Sequence, residues 1–204
     1  SDDEGMKNAF RNNIDIHAKT ASEVFNVPLG EVTPLMRSRA KAVNFGIVYG
    51  IGAFSLSKDI GVSVREAQRY IDAYLRHFSS IDSYMKNVIA KAKNDGYVET
   101  LEGRRRYLPE LTASNFNTRA FGERVARNAP IQGTAADIIK IAMIRVDERL
   151  IKEGLSARLI LQVHDELIVE APAYESMQVA ILLQEEMENA VKLSVPLTAE
   201  AAMG

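Results

Sequence analysis

Residues 33–50 are Thr33-Pro34-Leu35-Met36-Arg37-Ser38-Arg39-Ala40-Lys41-Ala42-Val43-Asn44-Phe45-Gly46-Ile47-Val48-Tyr49-Gly50. Threonine is a favoured N-cap residue and proline is favoured in the first helical turn, so the stretch predicts a helix that begins at Pro34. The helix is expected to end near Tyr49, because Gly50 and Gly52 follow and glycine interrupts a helical pattern.

The two faces of this helix differ in chemistry. One carries two cations and two aromatic rings at intervals of four residues: Arg37, Lys41, Phe45 and Tyr49. The other is apolar and lies roughly 150° away: Met36, Ala40, Val43 and Ile47. The apolar face predicts docking on the protein, and the first face suits a nucleoside triphosphate, since cations bind phosphates and a ring packs on sugar and base. On spacing alone, a solvated basic end with aromatic side chains in the core is the more frequent explanation.

Further helices are predicted on the C-terminal side of this stretch. Ser63 is a second N-cap candidate and Gly96 is a C-terminal stop. The predicted helices span residues 64–78, 81–94 and 118–153, with a kink at Pro130 because proline cannot donate the helical hydrogen bond. Residues 97–109 predict a short hairpin with Glu102-Gly103 near its turn.

From residue 157 onward the hydrophobic pattern changes to that of strands. Residues 157–163 and 166–171 are rich in leucine, isoleucine and valine, and they flank His164-Asp165, which suits a tight turn. A final helix is predicted over residues 174–192, and one more strand from residue 197 onward. The predicted fold class is therefore α+β, with a helical N-terminal part and a C-terminal part whose antiparallel sheet is backed by helices.

The turn between these two strands carries acidic side chains. Asp165 and Glu166 are well placed to bind Mg²⁺, which takes one or two carboxylates together with phosphate oxygens of a substrate. A polar turn without a ligand is the more frequent explanation of such a pair taken alone. A His-Asp pair like His164-Asp165 also occurs in metal phosphohydrolases, but those enzymes place it on helices, whereas strands flank it here.

The long helix has a polar face. Arg124, Asn128 and Gln132 are spaced four residues apart on it. Such a row can line a nucleic-acid groove, with the arginine reaching phosphate and the amides reaching acceptors in the minor groove. A polar face that simply meets solvent explains the spacing equally well.

Charge is distributed unevenly, although the net charge is only −2. Residues 101–130 hold six arginines against three glutamates, whereas residues 165–204 hold eight acidic side chains against Lys192 alone. Local basic patches bind phosphate, so the near-neutral total does not exclude a nucleic-acid ligand. The lack of cysteine excludes disulfides and thiolate metal sites. With no long apolar run and no signal peptide, the chain is expected to be cytoplasmic and to have no membrane partner.

Taken together and in this order, the motifs resemble those of family A DNA polymerases, the bacterial DNA polymerase I type. Residues 37–50 are similar to the R-x3-K-x3-F-x3-Y-G motif of that family's fingers helix. Gln162-Val163-His164-Asp165-Glu166 is similar to its second carboxylate motif in the palm. Residues 128–137 and Asp15-Ile16-His17 match as well, so the similarity spans essentially the whole chain.

The resemblance implies a nucleotide site on the first helix. Arg37 and Lys41 would bind the triphosphate, and Lys41 would donate a proton to the departing pyrophosphate. His17 would touch the outer phosphates. Phe45 would pack on the sugar and base, and Tyr49 would lie where the templating base enters.

The resemblance also implies a metal site and a DNA surface. Asp165 would bind the catalytic Mg²⁺, and Glu166 would assist nearby. Primer–template DNA would be held by four side chains: His164, Arg124, Asn128 and Gln132.

Two features of the family are not found in this sequence. One is an earlier palm motif, whose aspartate binds both metal ions, and the other is the set of thumb and exonuclease domains. From the resemblance, a few more residues are also expected at the C-terminus. The chain is therefore expected to be a fragment, with the fingers subdomain over residues 1–113 and the C-terminal part of the palm over residues 114–204. The fragment alone is expected to be inactive, because the second carboxylate of its two-metal site would come from the absent segment.

The predicted function is that of a DNA-directed DNA polymerase, which transfers a nucleotide from a dNTP to a primer 3′-hydroxyl in replication and repair synthesis. The expected partners are primer–template DNA and dNTP. A monomeric full-length enzyme is expected, whereas the fragment can self-associate through an unpaired sheet edge. A non-catalytic DNA- or nucleotide-binding module and a single-subunit RNA polymerase are the alternatives. The Phe45-Gly46-x2-Tyr49-Gly50 pattern and residues 132–137 favour the DNA enzyme.

Overall fold

A computed structural model describes all residues of the chain, 1–204. It divides into two compact units. The N-terminal unit consists of Ser1–Glu99 and Gly103–Pro130, and the C-terminal unit of Thr100–Glu102 and Ile131–Gly204. The predicted fold class is confirmed, because the chain is mostly helical and contains two small antiparallel sheets.

Most of the N-terminal unit is helical. Its helices are α1 (Glu4–Arg11), α2 (Ile16–Phe25), α3 (Pro34–Val48), α4 (Ala53–Ile60), α5 (Val64–His77) and α6 (Ser79–Asp95). Short 3₁₀ turns lie at Leu29–Glu31 and Pro109–Thr112. The predicted ends of α3, α5 and α6 are confirmed to within two residues, whereas α1, α2 and α4 were not delimited from the sequence.

Local capping explains where α3 begins and ends. The Thr33 hydroxyl accepts a hydrogen bond from the backbone N–H of Met36 (3.2 Å), and Pro34 occupies the first helical turn. At the other end, Gly50 adopts a φ of +69°, which side-chain-bearing residues rarely adopt. The positive φ is what requires glycine there, because the nearest group to a Cβ at this position, the Arg127 guanidinium, ends a flexible side chain and can move aside.

Two apolar clusters form the core of the N-terminal unit. The larger one packs α3, α4, α5 and α6 around buried residues that include Val43, Leu56, Tyr74, Phe78 and Met85. The second lies around strands β1 (Tyr97–Glu99) and β2 (Arg105–Tyr107), which pair antiparallel as predicted, with Val98 opposite Arg106. Burial of Val43 and Ile47 in the larger cluster is what fixes the orientation of α3.

One long helix, α7 (Phe116–Lys152), contributes to both units and continues through Pro130 without a break. The kink predicted at Pro130 stays a prediction. The division into compact units also falls directly after Pro130, whereas the division into fingers and palm at residue 113 is a functional prediction.

The C-terminal unit packs a hairpin and a helix against the second half of α7. Strands β3 (Arg158–Val163) and β4 (Glu166–Glu170) pair antiparallel, with a bulge between Leu159 and Leu161. Helix α8 (Ser176–Glu188) follows a short 3₁₀ turn at Ala173–Glu175. The core residues include Val146, Leu150, Leu167, Val179 and Leu182.

Two charged side chains hold these elements together. Arg149 on α7 binds Glu185 (2.7 Å) and Glu186 (3.0 Å) on α8. The buried Glu175 carboxylate accepts hydrogen bonds from the backbone N–H groups of Ser156 and Ala157 at 3.0–3.1 Å, which ties the start of β3 to the segment before α8.

The strand predicted from residue 197 onward is wrong, because residues 197–204 pair with no other strand. This segment is rich in alanine, which has a low β propensity. The Ala199 N–H instead donates to the Glu188 carboxylate at the end of α8 (3.1 Å). The final helix, predicted over residues 174–192, is shorter than predicted and stops at Glu188.

Candidate functional site

The exposed face of α3 carries the predicted row of cations and rings. Arg37, Lys41, Phe45 and Tyr49 all reach solvent, and both aromatic side chains are 46% exposed. The opposite face is buried through Ala40, Val43 and Ile47. The two rings therefore do not belong to the core, which removes the simpler explanation of the spacing.

The rings form a continuous strip with a neighbouring histidine and a lysine. The Phe45 and Tyr49 rings are stacked with centroids 6.4 Å apart, and His17 from α2 lies 5.6 Å from Phe45. Lys41 Nζ lies 5.8 Å from the centre of the Phe45 ring and forms no ion pair within the chain. An exposed cation beside a flat ring can bind a ligand that has both an anionic end and a planar end.

Asp15 holds Arg37 and also begins helix α2. Its Oδ1 caps the helix by accepting from the N–H groups of His17 (2.8 Å) and Ala18 (2.9 Å). Its Oδ2 accepts from Nε and Nη2 of Arg37, both at 2.7 Å. Hydrogen bonds from the Ala18 N–H and from Arg37 hold the pKa of Asp15 below its ordinary value, although burial opposes them. This carboxylate is therefore ionised at neutral pH and aligns the guanidinium with α2.

His17 is bound from behind by a buried amide. Asn44 Nδ2 lies 2.9 Å from His17 Nδ1, and the Thr20 hydroxyl donates to Asn44 Oδ1 (3.1 Å). Burial lowers the pKa of His17 below its ordinary value. Asp15 opposes this shift, whereas Arg37 and Lys41 add to it, so the ring is neutral at pH 7.

An open cavity of about 480 Å³ lies beyond the C-terminal end of α3. Phe45, Tyr49, Gly50 and Ile51 line it together with Arg124 from α7. Arg124 also lies over the Phe121 ring, with its guanidinium carbon 5.9 Å from the ring centre. The cavity places one basic side chain next to the aromatic strip of α3.

The β3–β4 turn presents His164, Asp165 and Glu166 to solvent. Val163 pairs with Glu166, so His164 and Asp165 alone make the turn, and the His164 carbonyl accepts a hydrogen bond from the Gln162 amide. His164 has a φ of +53°, a conformation that is uncommon for a residue other than glycine and occurs more often at functional sites. The turn therefore holds a histidine and two carboxylates outward on a strained backbone.

The carboxylates of this turn fit one side of a Mg²⁺ site. Mg²⁺ binds oxygen ligands and commonly keeps several waters while it is held by one or two carboxylates and substrate phosphates. The chain contains no group of three or more His, Asp or Glu side chains arranged to hold a metal ion. Asp165 and Glu166 can thus supply protein ligands, but the remaining ligands have to come from elsewhere.

The predicted polar row on α7 is divided between the two units. Arg124 and Asn128 belong to the N-terminal unit and Gln132 to the C-terminal unit. Arg124 and Gln132 are exposed. Asn128 is half-buried, and its Oδ1 is shielded from solvent without a hydrogen-bond partner. A shielded carbonyl oxygen without a donor is unusual and marks Asn128 as a binding candidate.

Comparison with known proteins decides what this arrangement belongs to. The model of the family described as DNA polymerase family A matches residues 1–204, the whole chain. The chain belongs to DNA polymerase family A. No helix of this family A chain is long and apolar enough to cross a membrane.

Its relatives are much longer proteins. The family A chain is 53% identical over 204 residues to DNA polymerase I of Bacillus subtilis and 52% identical to that of Bacillus caldotenax. In both cases all of this chain and 23% of the relative are covered, so the chain spans about a quarter of the length of these relatives.

A solved structure shares its fold. The POL domain of Pol1 from M. smegmatis, in complex with a DNA primer–template and dNTP, matches with a TM-score of 0.91 and 46% identity. The match covers 96% of the family A chain and 34% of that domain. The recognition of the family from the sequence is thereby confirmed.

The structure of the family A chain places the predicted residues in separate groups. His17, Arg37, Lys41, Phe45 and Tyr49 lie together on α2 and α3. Asp165, Glu166 and His164 lie together at the β3–β4 turn. The individual roles of these residues stay predictions.

Three further residues support this group through hydrogen bonds but were not predicted to take part: Asp15, Thr20 and Asn44. The role of Asn44 was not predicted because the residue lies on the buried face of α3, which the spacing assigned to the core. An asparagine at an otherwise apolar helix position was the available signal, since a buried amide needs partners.

Proposed function

We propose that this chain supplies the nucleotide-binding helix and part of the metal site of a DNA-directed DNA polymerase. The observation that carries the proposal is the α3 face, where two cations and two stacked rings reach solvent on a helix whose other face is buried. Residues 1–113 act as the fingers subdomain and residues 114–204 as part of the palm. The enzyme extends a primer 3′-hydroxyl with a dNTP and acts in the cytoplasm.

Each residue of the α3 face, together with His17 of α2, contacts a different part of the nucleotide. Arg37 and Lys41 bind the triphosphate, and His17 donates a hydrogen bond to the outer phosphates. Phe45 packs against the sugar and base, and Tyr49 lies beside the entering template base. Lys41 contacts the Phe45 ring but forms no ion pair in the chain, so its ammonium group is available to protonate the departing pyrophosphate as a general acid.

The β3–β4 turn serves the reacting end of the nucleotide. Asp165 binds a catalytic Mg²⁺, and Glu166 assists from the next position. When bound, Mg²⁺ in such sites activates the attacking oxygen and stabilises the charge on the transferred phosphoryl group. The turn itself orients the two carboxylates by its short loop and its strained His164.

Four side chains hold the primer–template. Arg124 reaches a phosphate, whereas Asn128 and Gln132 reach minor-groove acceptors, and His164 contacts the primer end. The M. smegmatis domain that shares this fold was solved with primer–template DNA and dNTP, which supports the same two ligands here.

A chimera tests the proposal. In DNA polymerase I of Bacillus subtilis, the matching segment is replaced by this chain, and primer extension is measured with Mg²⁺ and all four dNTPs. Template-directed extension that requires Asp165 is expected. A chimera that folds and binds primer–template but incorporates no nucleotide would overturn the proposal and favour a non-catalytic binding module.

A further inference from the structure

Two polar side chains are buried between α2 and α3, directly behind the ring of His17. Thr20 is fully buried and Asn44 is 8% exposed. They bind one another across the helix interface, and Asn44 also binds His17, so the three form a chain of hydrogen bonds. A buried polar group is costly unless it forms hydrogen bonds. Here the series of hydrogen bonds runs from Thr20 through Asn44 and ends at the His17 ring.

The direction of these hydrogen bonds follows from what each atom can do. An amide oxygen only accepts, and the Thr20 hydroxyl is the donor that faces Asn44 Oδ1. The amide nitrogen only donates, and it faces His17 Nδ1. Nδ1 therefore supplies a lone pair, and a neutral imidazole with Nδ1 unprotonated carries its single proton on Nε2.

The opposite ring nitrogen is available to a ligand. Nε2 forms no hydrogen bond within the chain, and the ring is half-buried beside Phe45 on the exposed face of α3. The charged groups that act on the ring are Asp15 at the start of α2, and Arg37 and Lys41 on α3. Two of these three are cations, so a third positive charge on His17 would be repelled.

We propose that Asn44, oriented by Thr20, is a positioning residue that fixes His17 as the neutral tautomer with its proton on Nε2. His17 then offers a hydrogen-bond donor to the outer phosphate of a nucleoside triphosphate and does not act as a third cation. The tautomer follows from the chain's own contacts, whereas the identity of the ligand rests on the proposed function.

Nitrogen-15 NMR of the imidazole rings measures the tautomer directly. The chain has three histidines, and single variants at His77 and His164 assign their signals, leaving those of His17. At pH 7.5 we expect the Nε2–H tautomer. An Nδ1–H tautomer or an imidazolium at this pH would overturn the proposal, whether or not the chain binds nucleotide.

Two substitutions test the role of the amide. Asn44→Asp replaces the donor that faces Nδ1 by an acceptor, so the ring proton is expected to move to Nδ1. Thr20→Val removes the hydroxyl that orients the amide and is expected to give a mixture of tautomers, whereas Thr20→Ser keeps the hydroxyl and the Nε2–H form. Circular dichroism confirms folding. If Asn44→Asp does not fold, the comparison of Thr20→Val with Thr20→Ser still tests the role of the amide. Identical His17 spectra for these two variants would contradict the proposal.

Binding of dATP provides the second readout. At pH 8, Asn44→Asp is expected to weaken dATP binding by about tenfold, because a hydrogen bond to a charged group is lost. Between pH 7 and pH 8 the protonation state of His17 should not alter the affinity of the unsubstituted chain. An Nε2–H tautomer together with no dATP binding would uphold the tautomer and contradict the proposed nucleotide site. An Asn44→Asp variant that binds dATP unchanged after its tautomer has moved would contradict the role of Nε2 as the donor.

Discussion

The α3 face and the β3–β4 turn are built in different ways. On α3, the exposed cations and rings stand on a helix whose other side is buried. Asp15, the N-cap of α2, holds Arg37 of α3, and Asn44 of α3 holds His17 of α2. At the turn, Asp165 and Glu166 are exposed and lie on a two-stranded hairpin. The α3 face is therefore positioned by its own unit, whereas the carboxylates require further ligands to form a metal site.

The sharpest test of this difference separates binding from catalysis. We expect the 204-residue chain alone to bind dATP but to give no primer extension, because two-metal catalysis needs carboxylates on both sides of the ions. In the Bacillus subtilis chimera, Asp165→Asn is expected to lower turnover by about 10³-fold. Steady-state primer extension measures both.

A matched control lies on the same hairpin. Glu170→Gln removes a carboxylate of β4 that pairs only with the exposed Arg158 (2.8 Å), so turnover should stay within about twofold. Robust Asp165-dependent extension by the isolated chain would show that its carboxylate site is already complete. Sedimentation of the same sample reports whether the exposed apolar side chains of β3, including Ile160 and Leu161, drive self-association.

The second test concerns the free cation of the α3 face. Lys41→Ala in the chimera is expected to lower turnover by about 10²–10⁴-fold, the usual contribution of a general acid, with primer–template affinity nearly unchanged. Lys58→Ala is the matched control, since Lys58 also lies over an aromatic ring, that of Phe54, at 4.3 Å. Single-turnover kinetics with a DNA trap separates the two quantities. Turnover that is unaffected by Lys41→Ala would remove Lys41 from the mechanism.

The third test concerns Phe45, whose ring is proposed to pack on the sugar. Phe45→Tyr is expected to raise the use of dideoxynucleotides relative to deoxynucleotides by about fivefold. The added hydroxyl replaces the hydrogen bond of the missing 3′-hydroxyl, a typical neutral hydrogen bond in strength. Competition between the two substrates measures the ratio. Phe54→Tyr on α4 is the control, and an equal ratio in both variants would place Phe45 away from the sugar.

The smallest expected effect concerns the strain at the turn. His164→Gly should raise the free energy of unfolding of the C-terminal unit by about 1 kcal/mol, because glycine tolerates the φ of +53° that costs a larger residue energy. It should also weaken primer–template binding in the chimera. His164→Ala loses the side chain but keeps the strain, so it should weaken binding without the gain in stability. Urea denaturation measures the free energy of unfolding, and DNA titration measures primer–template affinity. A destabilised His164→Gly variant would contradict the strain argument.

Local signals made much of the fold predictable. Helix α3 was delimited correctly because Thr33, Pro34 and Gly50 act through their immediate neighbours. The β3–β4 hairpin was predicted because strand propensity and turn length lie within a dozen residues. The strand predicted after residue 197 failed, since a strand requires a partner as well as a suitable composition.

The contacts behind the α3 face were not predictable in the same way. Arg37 and Asp15 are 22 residues apart, and Asn44 lies 24 residues from Thr20 and 27 from His17. These partners meet only because α2 packs against α3 in one particular orientation. Periodicity identifies which side of a helix is buried, but it does not identify the side chain that it meets.

Asp15 has a consequence for selectivity among anions. The carboxylate that holds Nε and Nη2 of Arg37 is tethered to α2, so it acts as an internal competitor at high effective concentration. An anion that uses the same edge of the guanidinium has to displace it. A single phosphate that replaces Asp15 would gain little binding free energy. A ligand that also contacts Lys41 and His17 would form enough additional contacts to displace the carboxylate. We therefore expect Arg37 to bind an anion only when that anion also contacts Lys41 or His17, which would disfavour small anions such as a single phosphate.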